Sequence, residues 1–317
     1  MPVLPLLMLA GLGCAPRYSG LPSILPADLW APLPVQHRTL DLPDVGLVDV
    51  AYVDSGGAGV PLVFIHGLSS SIGFWEYQLP AFAASHRVIA LDLPGYGASG
   101  RPDAPCTPPW YADVVLGLLD ALAVPQATLV GHSMGGQVAL TLALAQPARV
   151  DRLVLSAPAG FEAFDRGSAQ WMKAWWHEGR ALEAREEELR ATFTTMVFNK
   201  TDAGVERLLE ERVRMSGTPA FRGTSVAVSR SVAGMLDFPV RDRLGQVQVP
   251  TLVVFGTDDR MIPNPVFTGG STRRLAEQGV ARLPAGQLVL IPGAGHTVHH
   301  DAPAAFNQAV AAFLSAP

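Results

Sequence analysis

Little of this 317-residue chain carries charge: 16% of it, for a formal net of −5. No basic run interrupts that balance, and a nucleic-acid surface needs a basic face, so no nucleic-acid partner is expected. Cysteine is nearly missing. The two present, Cys14 and Cys106, sit in no CxxC or CxxH spacing, which argues against a zinc site built on them, and two thiols make no disulfide framework. There is no internal repeat and no low-complexity tract. No apolar run is long enough for a comfortable membrane span. What is there is 49% hydrophobic sequence, enough to bury a large core and too much for a disordered chain. The length suits one large α/β domain with an insertion as well as it suits two domains.

The N-terminus is short, apolar and ends at small residues: MPVLPLLMLAGLGCAPRYSG. It resembles the signal peptide of a bacterial lipoprotein, whose cysteine becomes lipidated. No Lys or Arg precedes the apolar run, although signal peptides usually start positive, and Gly11 stands where that motif usually has an aliphatic residue. Export or lipid anchoring at Cys14, with peripheral membrane attachment, is favoured over a cytoplasmic protein with an irregular arm. The Pro-rich segment 21–36 reads as a stiffened linker or surface arm. Residues 1–36 are thus one N-terminal unit.

Regular patterning begins near residue 38. DVGLVDVAYVDSGG alternates apolar and polar residues before Gly, as an early edge strand does. PLVFIHG, HRVIALDLPGYG, TLVGHSMGG, RLVLSAPAG, TLVVFGTDD and LVLIPGAGH each contain a continuous apolar run of strand length, which suits strands buried on both faces. Helical periods lie between several of them. In YADVVLGLLDAL, residues Tyr111, Val114, Val115, Leu118, Leu119 and Leu122 share one face, and QVALTLALAQ is stopped by Pro147. AAFNQAVAAFL closes the chain as an amphipathic helix. Alternating strands and helices predict a mostly parallel central sheet with helices on both faces. Residues 161–236 break the alternation with charged helical sequence such as EGRALEAREEELRATF. They read as a helical cap inserted into a core made of 37–160 and 237–317, seated over the C-terminal strand ends where α/β sheets bind ligands.

LVGHSMGG poses the functional question. Gly131-His132-Ser133-Met134-Gly135 is G-x-S-x-G between a strand and a helix, the context in which such a serine is a nucleophile. Glycines are needed there because the turn is too sharp for flanking side chains. The following helix starts beside the serine, so its N-terminal dipole favours developing negative charge. A glycine-rich turn with a capping serine is the plainer alternative. A serine hydroxyl also needs a base, and the base an orienting acid. VVFGTDDRMIP ends a buried strand with Asp258 and Asp259, and IPGAGHTVHHD follows the last strand with His296.

The order Ser, Asp, His resembles the α/β-hydrolase superfamily. Gly256, Asp259 and Pro263 (G-x-x-D-x-x-x-P) and Gly293 to His296 (G-A-G-H) resemble its acid and base loops, which implies Asp259 as the acid, with Asp258 the competitor. His66-Gly67 resembles the family's His-Gly motif. By that pattern the N–H of Leu68 joins the N–H of Met134, the residue after the nucleophile, as the oxyanion donors, and His66 buttresses the loop. LDLPGYGASG (91–100) also matches a family loop, with Asp92 structural rather than catalytic. The likeness covers roughly residues 45–160 and 237–317. It implies a catalytic triad Ser133, His296 and Asp259 with no cofactor and no metal. His299 and His300 near His296 raise a weak metal alternative, and His132 reads as packing. Relatives that cleave carbon–halogen bonds or epoxides carry Asp where this chain has Ser133, so those activities drop out.

The expected substrate is a small hydrophobic ester. SAQWMKAWWHEGR carries Trp171, Met172, Trp175 and Trp176. The i, i+4 spacing sets Trp171 with Trp175 and Met172 with Trp176 on one broad apolar face, expected either to contact substrate as a lid wall or simply to pack the cap onto the core. An apolar capped pocket favours hydrophobic acyl or aryl groups. The rivals are a carbon–carbon bond hydrolase acting on vinylogous diketones, cofactor-free haloperoxidases and aminopeptidases of the fold, and a ligand-binding or signalling protein that keeps the triad. Monomer is the default state.

Overall fold

The computed structural model describes residues 17–316; the apolar run and Cys14 lie outside the described residues. Eight strands form one sheet: β1 (Gln36–Leu42), β2 (Gly46–Asp54), β3 (Leu62–Ile65), β4 (Val88–Leu91), β5 (Ala127–His132), β6 (Val150–Ser156), β7 (Thr251–Gly256) and β8 (Gly286–Ile291). Their spatial order is β1-β2-β4-β3-β5-β6-β7-β8. β2 pairs antiparallel with β1 and β4, and every other pairing is parallel. The continuous apolar runs become the strands covered on both faces: β3, β4, β5 and β7 are buried throughout.

Two expectations need correction at the margins. DVGLVDVAYVD, expected at the sheet edge, is the second strand in, because QHRTLDL ahead of it forms β1 and takes the edge. Four of those seven residues, Gln36 to Thr39, are exposed in succession, so no alternation marks them as a strand. β8, expected as a strand buried on both faces, is the other edge and half-exposed along most of its length.

Helices cover both faces. α1 (Leu79–Ala83), α2 (Pro108–Ala121) and α3 (Met134–Ala145) connect the first strands. Thr107 caps α2 by accepting from the Trp110 N–H, and the expected stripe Tyr111, Val114, Val115, Leu118 and Leu119 is buried. Between β6 and β7 come α4 (Arg166–Trp175), α5 (Arg180–Glu183), α6 (Glu186–Thr192), α7 (Ala203–Ser216) and α8 (Ala220–Asp237), with no strand among them. Then follow α9 (Thr272–Val280), α10 (Val298–Asp301) and α11 (Pro303–Ser315). α2, α3 and α9 pack on one face of the sheet, and α1, α10 and α11 on the other.

The Pro-rich segment is not a free-standing linker. It is strapped across α6 and α7. The Tyr18 N–H donates to Glu186 and the Tyr18 O–H to Glu206. The Trp30 N–H donates to Glu211 at 2.9 Å, and the Arg207 guanidinium stacks 3.8 Å over the Trp30 ring. Ile24 and Leu29 pack against Met215 and Phe221.

Candidate active site

β5 ends at His132 and α3 begins at Met134, which leaves Ser133 alone in the turn. Its backbone sits at φ 52°, ψ −116°, a region that side chains rarely adopt and that persists only where the surroundings over-determine it. They do so here. The Ser133 N–H donates to Ser156 O, and its carbonyl accepts from the N–H groups of Gly136, Gln137 and Ala159. The flanking glycines are required by contact: a Cβ on Gly131 would lie 2.4 Å from Gly135 O, and one on Gly135 2.2 Å from Ile65 O.

The strand ends of β7 and β8 bring the acid and base together. His296 Nδ1 lies 2.9 Å from Asp259 Oδ2, with both side chains buried. Asp259 Oδ1 is occupied separately, accepting from the Met261 and Ile262 N–H groups at 2.8 and 3.0 Å. The carboxylate is thus pinned, His296 carries its proton on Nδ1, and Nε2 keeps its lone pair. Asp258 is exposed and takes a hydrogen bond from Thr257 instead, so the geometry selects Asp259 as the partner of His296. Ser133 and His296 line the same cavity, and Ser133 Oγ makes no hydrogen bond among the described residues. Such bonds commonly tighten only when substrate arrives.

Among the described residues the N–H groups of Leu68 and Met134 also donate to nothing, although both residues border Ser133. Leu68 is half-buried, and Met134 opens α3, where the first N–H groups have no acceptor within the helix. His66 holds the Leu68 loop. Its Nε2 accepts from the Leu93 N–H at 2.9 Å, so its Nδ1 carries the proton and donates to Gly67 O at 2.7 Å. Burial lowers the His66 pKa and keeps the ring neutral. Asp92 accepts from the Ile72 and Ala98 N–H groups, tying two loops together away from the triad.

Two lobes of one apolar space meet at Leu68, Ser133, Trp176, Met261 and His296. One has a volume of about 380 Å³ and the other about 280 Å³. A strained serine, a lone-pair nitrogen and two unspent N–H donors at one junction can do nucleophilic acyl chemistry.

A family model described as an alpha/beta hydrolase family matches residues 62–309. The chain belongs to the alpha/beta hydrolase family. By class it is a hydrolase. It is similar to a 2-hydroxymuconate semialdehyde hydrolase of Pseudomonas sp. strain CF600, 33% identical over 270 residues, covering 82% of this chain and 88% of that protein. It is equally similar, at 33% over 263 residues and 82% of this chain, to the dihydrolipoyllysine-residue acetyltransferase component of the acetoin cleaving system of Pseudomonas putida, of whose length it spans 64%. Among solved structures, a probable hydrolytic enzyme from Pseudomonas aeruginosa PAO1 matches with a TM-score of 0.83 at 25% identity, covering 93% of this chain and 99% of that one.

The roof of this alpha/beta hydrolase departs from expectation. Trp171 and Trp175, expected as substrate contacts, line neither lobe. They are 51% and 46% exposed and stack on each other at 5.3 Å and 9°. Arg180 covers Trp175, and Phe267 abuts Trp171. Met172 and Trp176 do reach the cavity. The reason is helical geometry: successive residues are about 100° apart, so Met172 on α4 points inward while Trp171 and Trp175 point out, and Trp176, which ends the helix as its cap, follows Met172.

The three C-terminal histidines diverge from one another, and His300 alone of them joins a group with metal-ligand spacing among the described residues, with Glu76 and Asp202. His299 Nδ1 meets Ser156 Oγ at 3.0 Å while its ring stacks on Trp75 at 4.1 Å. His300 Nε2 meets Glu76 at 2.8 Å, and Arg207 neutralises that carboxylate. His132 stands between Trp75, His296 and His299. Burial first, then the charge of a neighbouring histidine, drives the pKa values of His132 and His299 well down.

Two charged residues that sequence reasoning missed also face the cavity. Arg212 on α7 lines the smaller lobe. Its guanidinium lies 4.5 Å over Phe221 and makes no ion pair or hydrogen bond among the described residues. Burial pushes its pKa down to about 10, so it stays cationic at neutral pH. Glu162, just beyond β6, lines the larger lobe. The available signal for Arg212 was its place four residues after Leu208 and three before Met215, on the apolar side of an otherwise charged helix.

Proposed function

We propose that this hydrolase cleaves carboxylic esters of hydrophobic acyl or aryl substrates through an acyl-enzyme on Ser133. The observation that carries this reading is the pair of unspent N–H donors, Leu68 and Met134, beside a serine that shares its cavity with the His296–Asp259 pair. Ser133 Oγ attacks the ester carbonyl carbon while His296 Nε2 takes its proton. The carbonyl oxygen becomes an anion and accepts from the two N–H groups. Each such donor contributes about 10²–10³-fold in rate. As the tetrahedral species collapses, the C–O bond breaks and His296 gives its proton to the departing alcohol. Water, deprotonated by His296, then attacks the acyl-serine and releases the acid. Asp259 holds the imidazole in the Nδ1–H tautomer and balances the imidazolium. No cofactor or metal enters these steps.

Hydrolysis of p-nitrophenyl esters across chain lengths tests this. Ser133→Ala is expected to lower kcat/KM by about 10³-fold or more, the loss typical of removing a triad member. A wild-type protein that hydrolyses no ester would overturn the reading.

Arg212 favours a second reading, a carbon–carbon bond hydrolase acting on a vinylogous diketone that bears a carboxylate. A desolvated guanidinium without a protein partner suits an anion. If turnover of a dienone acid exceeds that of neutral esters and collapses in Arg212→Gln, the second reading replaces the first.

A further inference from the structure

The proposed ester chemistry leaves one carboxyl in the larger lobe without a task. Glu162 Oε1 accepts from the Asn264 N–H and the Thr268 O–H, both at 2.6 Å. Its Oε2 accepts nothing among the described residues, although Glu162 lines the same lobe as Ser133 and His296. The polar neighbours Gln137, Asn264 and Arg241 within that lobe are spoken for, and Arg274 lies in a neighbouring cleft that Glu162 also borders. The Gln137 amide donates to Met235 O and Phe238 O, each at 3.0 Å. Asn264 Oδ1 accepts from the Val266 and Phe267 N–H groups. Arg241 faces Asp242 at 3.4 Å.

Tying down the 264–268 loop needs only one acceptor oxygen, which an uncharged amide would supply. The ionised form is disfavoured at this spot: burial raises the pKa, the Asn264 and Thr268 hydrogen bonds oppose that rise only in part, and the negative charge of Asp259 adds to it. Glu162 is half-buried, so Oε2 is open to whatever enters the lobe. Around it the lobe is apolar, with Met172, Trp176, Leu236 and Ile262 in its wall.

We propose that Glu162 Oε2 receives a hydrogen-bond donor of the substrate, so that the ester arm entering the larger lobe carries an ammonium or hydroxyl group on a short apolar spacer. Glu162 is then a specificity-determining residue rather than a catalytic one. This rests on the ester reading above and names the substrate class for that same site.

The test uses isosteric pairs in which one carbon is replaced by nitrogen: 3-methylbutyl and 2-(dimethylamino)ethyl propanoate, and the matching pair with the branch on the acyl arm. The readout is the ratio of kcat/KM, amine over alkyl. Wild type is expected to prefer the amine by about 10-fold or more on one of the two arms, as one charge-assisted hydrogen bond provides. Glu162→Gln keeps an oxygen for the loop and is expected to reduce that ratio by about 10-fold. A purely structural role would move both members of a pair together and leave the ratio alone. The idea is overturned if wild type shows no amine preference on either arm, or if Glu162→Gln leaves the ratio unmoved. Calorimetric binding of the same pairs to Ser133→Ala, with and without Glu162→Gln, reads the ratio without turnover. An amine preference there supports the Glu162 assignment even if no ester is hydrolysed, which sinks the ester reading alone. Equal binding of both members sinks the Glu162 assignment alone.

Discussion

The floor and the roof of the catalytic cavity are built by opposite means. The floor is the elbow at the end of β5. The backbone N–H and carbonyl of Ser133 are both bonded, its flanking glycines touch neighbouring backbone, and β5 is wholly buried. The roof is α4 to α8 with the Pro-rich strap. It is all helical, from the four residues of α5 to the eighteen of α8, and it packs around small apolar clusters flanked by ion pairs such as Arg190 with Glu206 and Arg214 with Glu210. Surface pairs of this kind contribute little each. The floor therefore holds Ser133 by backbone contacts, whereas the roof supplies wall residues such as Trp176 and Arg212 from helices of mixed exposure.

Substitutions can break that contrast. The largest effect belongs to the floor. Asp259→Asn should lower kcat by about 10⁴-fold by favouring the wrong imidazole tautomer, whereas Asp258→Asn, on an exposed carboxylate, should change it little. Steady-state ester hydrolysis by both variants decides this, and equal losses would remove Asp259 from its role. Next comes stability. Gly135→Ala drives a methyl group against Ile65 O, and a loss of about 3 kcal/mol in urea unfolding is expected from strain and overpacking. A wild-type-like midpoint would mean that the elbow is softer than its contacts imply.

The smallest effect is in the roof and depends on pH. Burial pushes the Glu211 carboxyl up to about 7, above its ordinary 4.5 in the unfolded chain. A pKa raised on folding means that the neutral form is favoured in the fold. The stability it contributes is full below pH 4.5 and is lost as the pH rises through about 7. Glu211→Gln should therefore match wild type in Tm at pH 4 and exceed it at pH 8. A difference that is constant with pH would show that Glu211 is not desolvated under the strap.

The floor was far more legible in the sequence than the roof. Strands buried on both faces announce themselves as unbroken apolar runs, and the elbow declares itself because only glycine fits at residues 131 and 135. β1 was invisible because an edge strand with four successive exposed residues has no period to detect. On α4 the periodicity told which tryptophans share a face but not which face turns inward, since both are apolar. Arg212 and Glu162 hid among charges that ordinarily belong to solvent. Only three-dimensional packing tells a charge facing a cavity from one facing water.

The strap has a mechanical consequence. Residues 18–30 are fastened to α6 and α7, while the chain ends on α11, packed against the sheet. The first and last described segments are therefore attached to different halves of the cavity. A load, label or surface attached ahead of Tyr18 acts on the roof, and the same attachment after Ser315 acts on the floor. Immobilising the protein through one segment or the other would load a different half of the cavity wall, so the choice of tether decides which half is held and which is left to move.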